Sequence, residues 1–316
     1  MVISGVAHNK FGGMTADTIQ GMIFQLIASI IFGLIAAIVF SLAIQNQKMA
    51  LSHLDDLTGT FISVTTMASM FWIISAWSLR WEWWFSDGTI YFVLAGMLFP
   101  ALGQKFQISA VKHVGPALTA ALGAFLPLFA TIPAVLFLGE TVTIVQIFGI
   151  SLLTAGLLLA AIARGVSLKN RAFYLLLLPL GAAVVRAIAQ PLSKAGYNLL
   201  AEPIFATLVM TSVSTLVVGI MVFVSGSPGR ILSFGRGHAL FTLNGILVGF
   251  GFLALQLSLN TGSVSLTASL LSTTPIWTLA LGVFFFKNER LQWWHGVVAL
   301  IVCVGAIMVV MGQVQA

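Results

Sequence analysis

The chain has 316 residues, 59% hydrophobic and 7% charged, with 14 Lys and Arg against 8 Asp and Glu and a net charge of +6. Soluble domains carry about 25% charged residues, so this composition excludes a soluble globular protein. The cations are scattered over short connections between apolar runs, which also excludes a nucleic-acid surface, where positive charge gathers on one face.

Residues 1–18, Gly-rich and polar, are expected to form a short N-terminal tail. They show no short apolar region ending in a small-residue cleavage site, so the first long run is expected to remain as a span. Crossing a bilayer takes about 20 mostly apolar residues. Ten runs qualify, at about 19–44, 57–78, 88–111, 115–138, 142–163, 171–195, 203–225, 238–259, 263–286 and 292–312, before a tail at 313–316. "WEWW" (Trp81 to Trp84) and "QWW" (Gln292 to Trp294) place indoles at the headgroup level. Cys303 lies alone in an apolar run, so no intrachain disulfide is possible and it reads as a packing residue.

All eight acids, Asp17, Asp55, Asp56, Glu82, Asp87, Glu140, Glu202 and Glu289, fall at run ends or in connections. Only Lys105 and Arg186 lie well inside a run, where a cation costs about 2.5–3.5 kcal/mol on insertion scales unless it finds water or a partner. Magnesium-dependent chemistry needs gathered carboxylates, and "LDDL" (Asp55, Asp56) is a single pair in a connection. A zinc helix with two His and a Glu is also absent from the sequence. No enzyme, cofactor or metal site is expected.

The chain repeats internally. A shift of 148 residues superposes Leu118, Thr119, Ala120, Leu122 and Pro127 on Leu266, Thr267, Ala268, Leu270 and Pro275. A shift of 149 aligns Gly96, Leu98, Gln107, Ser109, Phe137, Glu140 and Gly156 with Gly245, Leu247, Gln256, Ser258, Phe286, Glu289 and Gly305. Two halves follow, 19–165 and 166–312, of five spans each. Because five is odd, the halves enter the membrane from opposite sides. The fold class expected is an all-α integral membrane protein, ten transmembrane helices arranged as two inverted five-helix repeats. Connections after odd-numbered spans hold Lys48, Lys112, Arg164, Lys169, Arg171, Arg230, Arg236, Lys287 and Arg290, whereas the other side holds Lys10, Arg80 and Lys194. Counting Lys and Arg therefore favours both termini outside the cytoplasm.

The stretch "GPALTAALGAFLPLFATIPAVLFLGE" (115–140), followed by "TVTIVQIFGISLLTAGLLL", and its echo "SVSLTASLLSTTPIWTLALGVFFFKNERLQWWHGVVALIVCVGAIMVV" resemble the EamA-type branch of the drug/metabolite transporter superfamily. That pattern is a mid-span Pro, a Gly-Glu end, a short connection and a Gly-rich last span, given twice. Gly139 and Glu140 match it, while Asn288 stands before Glu289 where Gly is usual. The resemblance implies a multi-pass secondary transporter in a bacterial cytoplasmic (inner) membrane, moving, often outward, a small polar organic metabolite such as an amino acid or organic anion. The implied partners are a small-molecule solute and membrane lipid, without nucleic acid, a homo-oligomer being left open. A lipid-linked flippase or a non-transporting membrane receptor is the alternative.

Several residues are candidates for a site. Pro127 and Pro275 remove a backbone donor and bend their spans, either packing the kink against other helices or turning freed carbonyls to a polar cavity. Ser272, Thr273, Thr274 and Trp277 around Pro275 favour the cavity. Glu140 and Glu289, at helix ends, are expected to cap the amides opening the following helix. Arg186, Gln190 and Lys194 follow at four-residue steps and share one face of span six. Arg186 either satisfies backbone carbonyls or serves as a cavity cation for an anionic group. In span three, Gln104 and Gln107 share a face and Lys105 lies about 100° away. Gln107 and its repeat mate Gln256 act as interhelical links or solute contacts. His295 reads as a packed interfacial residue.

Overall fold

With no water in a bilayer core to satisfy free backbone groups, so apolar a chain is driven into helices, and every regular element described is helical. The structure, a computed structural model, describes residues 16–115, 119, 122–163, 173–225, 235–284 and 293–315. The helices are α1 (Ala16–Ala50), α2 (Asp56–Ser75), α3 (Asp87–Gly96), α4 (Gly103–Val114), α5 (Leu126–Leu138), α6 (Ile144–Ala163), α7 (Phe173–Leu199), α8 (Pro203–Val224), α9 (Arg236–Thr261), α10 (Val264–Leu271), α11 (Thr274–Phe284) and α12 (Trp293–Gln315).

Three spans are interrupted, each beside a proline. A wide π-type turn, Met97–Leu102, joins α3 to α4 around Pro100, with Phe99 at φ −139°, ψ 125°. A 3₁₀ turn, Gly123–Phe125, precedes α5, and Ser272 and Thr273 separate α10 from α11. Pro127 and Pro275 each occupy the second position of the helix after the break, where a missing N–H costs nothing. Both bend their spans at matching places.

Among the described residues, eight helices are long and apolar enough to cross a membrane; Leu126–Leu138, and Ile144–Gly156 within α6, are shorter apolar helices. They stand where spans four and five are expected, span four being shortened by its break. Glu289, Asn288, Lys287, Arg290, Arg164, Lys169, Arg171, Arg230, residues 1–15 and the 165/166 boundary lie outside the described residues.

The packing repeats with the halves exchanged. α1 lies on α9 as α7 lies on α3 and α4; α1 meets α11 as α7 meets α5; and α9 packs on α2 as α8 packs on α3. α2 with α8, α6 with α12, and α5 with α10 pair across the halves. Matched glycines make two of these contacts close: a Cβ on Gly96 would lie 2.7 Å from Met210 Cα, and one on Gly245 would lie 2.6 Å from the Ser63 carbonyl. Phe92, Phe99, Tyr197, Phe205 and Phe252 fill the core between α3, α7, α8 and α9. Outward faces stay apolar, with Phe24, Ile73, Phe137, Ile147 and Phe223 all more than half exposed, a surface suited to lipid tails and unsuited to water.

Candidate functional site

A cavity lies beside the breaks in three spans and is lined from both halves. Its lining comes from α1 (Phe40, Ile44), the Phe99 turn and α4 (Gln107), span four (Thr119, Gly123, Leu126), α7 (Pro179, Ala182, Ala183, Arg186, Gln190), α9 (Leu255) and the α10–α11 break (Leu271, Ser272, Thr274, Pro275). The cavity volume is about 60 Å³, room for a few waters at ~10–15 Å³ each.

Arg186 is the one charged side chain in that lining, among the described residues. Its Nη2 donates to Gln107 Oε1. The guanidinium carbon stands 4.6 Å from the Phe99 ring centroid and 5.8 Å from that of Phe40, contacts each worth about 0.5–2 kcal/mol. The wide turn brings Phe99 there, since its extended backbone swings the ring out of the helical path. Arg186 Nε and Gln190 Oε1, one turn apart on α7, are buried and have no hydrogen-bond partner. The two residues thus line one largely apolar cavity, and each keeps one buried polar atom without a partner.

The other candidates disperse. Lys105 leaves the cavity and pairs with Asp56 at the first turn of α2, assisted by Ser109 Oγ at 2.9 Å, while Lys112 reaches the same carboxylate at 2.9 Å. The ion cluster forms because α2 begins beside α4. Gln104 is buried outside the cavity lining, its Nε2 unpartnered. Gln256 accepts from Tyr197 Oη at 3.0 Å and donates to Met210 Sδ at 3.2 Å, linking α9 to α7 and α8. It therefore does not share the surroundings of its repeat mate Gln107. Lys194 donates to the Leu259 carbonyl at 2.8 Å, at the negative end of α9.

Around Pro275 the hydroxyls turn back onto the backbone. The amide that Pro275 lacks would have met the Leu271 carbonyl; Thr274 Oγ1 donates to that carbonyl at 2.5 Å, Thr273 Oγ1 to Leu270 at 2.7 Å, and Ser272 Oγ to Ser269 at 2.6 Å. Trp277 Nε1 donates to Thr273 Oγ1 at 3.2 Å and lies outside the lining. Ser272 and Thr274 serve the bend and line the cavity together.

Glu140 caps a different helix from the one expected. The following helix, α6, is capped by its own Thr143–Gln146 box, with Thr143 N donating to Gln146 Oε1 at 2.8 Å and Gln146 N to Thr143 Oγ1 at 3.3 Å. Gly139, at φ +66°, ends α5 in the left-handed conformation, which glycine adopts without Cβ strain, and redirects the next side chain. Glu140 then crosses to α10, accepting from Val264 N at 2.7 Å, Ser265 N at 3.2 Å and Ser265 Oγ at 2.7 Å. A carboxylate of the first half closes the N-terminus of a helix in the second.

Phe40 and Phe99 were not candidates from sequence. "LFP" at 98–100 signals an interrupted helix beside the cation-bearing part of span three, whereas nothing sets Phe40 apart from the chain's other phenylalanines.

A family model, the EamA-like transporter family, matches residues 27–162 and again 173–311. A solved structure titled "Crystal structure of protein" superposes with TM-score 0.71 at 15% identity, covering 91% of this chain and 98% of that one, a likeness of fold. No curated protein matches.

Proposed function

Because the chain belongs to the EamA-like transporter family, whose members are membrane transporters of the drug/metabolite superfamily, we propose that it is a secondary carrier exporting a small polar organic metabolite, an amino acid or organic anion, across a bacterial inner membrane. In this reading ten transmembrane helices form two inverted five-helix halves, with the Lys48 and Lys112 end facing the cytoplasm. One observation carries it: a buried, singly charged cavity enclosed by six spans that exchange in pairs when the halves are swapped. In this reading the halves part to load the solute and close again around it, which is alternating access. At the Glu140 end, separation breaks the Glu140–α10 cap.

Counterflow of labelled metabolites into proteoliposomes tests the proposal. Arg186→Ala is expected to abolish flux of solutes bearing a carboxylate, because removing the one cation of the lining leaves that group buried without a partner. Unchanged flux in Arg186→Ala removes the cavity from the transport path, and flux of labelled lipid alone replaces the carrier with a flippase.

A further inference from the structure

We infer that the cavity selects a monoanionic hydroxycarboxylate, its hydroxyl one or two carbons from the acid, over the zwitterionic amino acid of the same shape. The inference rests on the transporter reading and narrows the solute class of that site.

Charge is the first ground. Arg186 supplies one positive charge, and no carboxylate lines the cavity among the described residues. A monoanion neutralises the site. An ammonium group brings a second positive charge into a medium where like charges repel strongly and only a neutral amide waits for it. A phosphate dianion errs the other way, leaving a negative charge unmatched.

Hydrogen bonding is the second ground. Nε and Nη2 form one edge of the guanidinium, the geometry a carboxylate takes with two parallel bonds. Gln107 Oε1 holds the Nη2 half of that edge and the Nε half has no partner. The amide oxygen therefore stands in for one carboxylate oxygen and yields to the solute. One turn along α7, Gln190 is 3% exposed and its Oε1 lacks a donor. A hydroxyl beside the acid supplies that donor without adding charge. The rings of Phe99 and Phe40 flank the cation and leave the rest of the solute an apolar surface.

The test uses the purified full chain in proteoliposomes and isosteric pairs: L-lactate with L-alanine, and phenyllactate with phenylalanine, plus propionate and inorganic phosphate. Each flux is read above that of protein-free vesicles. Expected is a hydroxy-acid flux exceeding that of its amino-acid partner by roughly a hundredfold, the scale of one uncompensated buried charge, with phosphate at background in mildly alkaline buffer, where it is mainly the dianion. Gln190→Leu is expected to bring the lactate-to-propionate ratio close to one. Equal or faster exchange of alanine or phenylalanine overturns the inference, as does the absence of flux for both hydroxy acids. Loss of amino-acid flux in Arg186→Ala would in that case keep the transporter reading while the anion preference fails. An unaltered lactate-to-propionate ratio in Gln190→Leu removes the hydroxyl contact and overturns the hydroxycarboxylate assignment.

Discussion

Glu140 offers the sharpest quantitative prediction, because its three partners lie on a helix 124 residues away. All eight residues of α10 are buried and Glu140 is only partly exposed, so amides released by Glu140→Ala reach water less readily than at an open helix end. Losing a cap costs about 0.5–2 kcal/mol, and a buried donor left unsatisfied costs about 1–3 kcal/mol. With one amide at 2.7 Å and a weaker one at 3.2 Å, Glu140→Ala should destabilise by about 2–4 kcal/mol. Glu140→Gln keeps one acceptor oxygen and loses the charge, so about 1 kcal/mol is expected. Melting temperatures in detergent read the order, at roughly 2–4 °C per kcal/mol for mid-sized domains. Ser265→Ala completes a double-mutant cycle, in which the Ser265 Oγ contact at 2.7 Å predicts non-additivity of about 0.5–3 kcal/mol. Strict additivity, or a Glu140→Ala melting point equal to that of the parent, refutes the cross-half cap.

Other consequences follow from the same geometry. Gln107→Glu gives Arg186 a permanent carboxylate partner, so anion counterflow should fall at least ~10-fold as the solute competes with a charged group, while thermal stability holds or rises. Gly96→Ala and Gly245→Ala each drive a Cβ to within 2.7 Å of a facing backbone, and each should cost about 1–3 kcal/mol by overpacking, seen as a lowered melting point. Asp56→Asn removes the shared acceptor of Lys105 and Lys112; with Lys112 well exposed, the loss should stay near 1 kcal/mol and shrink in high salt, measured by melting at two ionic strengths.

What the sequence made legible was local or periodic. The helix breaks beside Pro127 and Pro275 and the four-residue face carrying Arg186 and Gln190 depend on near neighbours in the chain, as do the apolar runs, eight of which are helices long enough to cross a membrane among the described residues. The Thr143–Gln146 box was readable on the same terms, being a Thr followed three residues later by a Gln. Had it been read, α6 would have been supplied with its own cap and Glu140 freed for another partner. Lys105 was unreadable for the opposite reason: its carboxylate lies 49 residues away at the start of α2, and only the packing of α2 against α4 brings them together. Composition gave Arg186 no intramembrane acid, and none lines the cavity among the described residues, but the amide and two rings that surround it come from spans three and one, which only tertiary packing brings to α7.

The two halves share their bends and divide their chemistry. In the first, the break is Gly123, Ala124, Phe125, and the turn closes by a backbone bond from Leu126 N to the Gly123 carbonyl. In the second, the matching positions are Leu271, Ser272 and Thr273, and hydroxyls from Ser272, Thr273 and Thr274 cover the carbonyls. Either solution satisfies the backbone, so bending alone does not call for the hydroxyls. Their half also carries Arg186 and Gln190, while the first half lines the cavity with Gln107 and Thr119 beside Phe40, Phe99 and Leu126. On the proposed carrier reading, the charged end of an anionic solute would face Arg186 on α7. The one cation of the lining among the described residues belongs to the second half, so on the same reading substitutions at Arg186 and Gln190 should alter solute choice more than substitutions on α1, the counterpart of α7 in the first half.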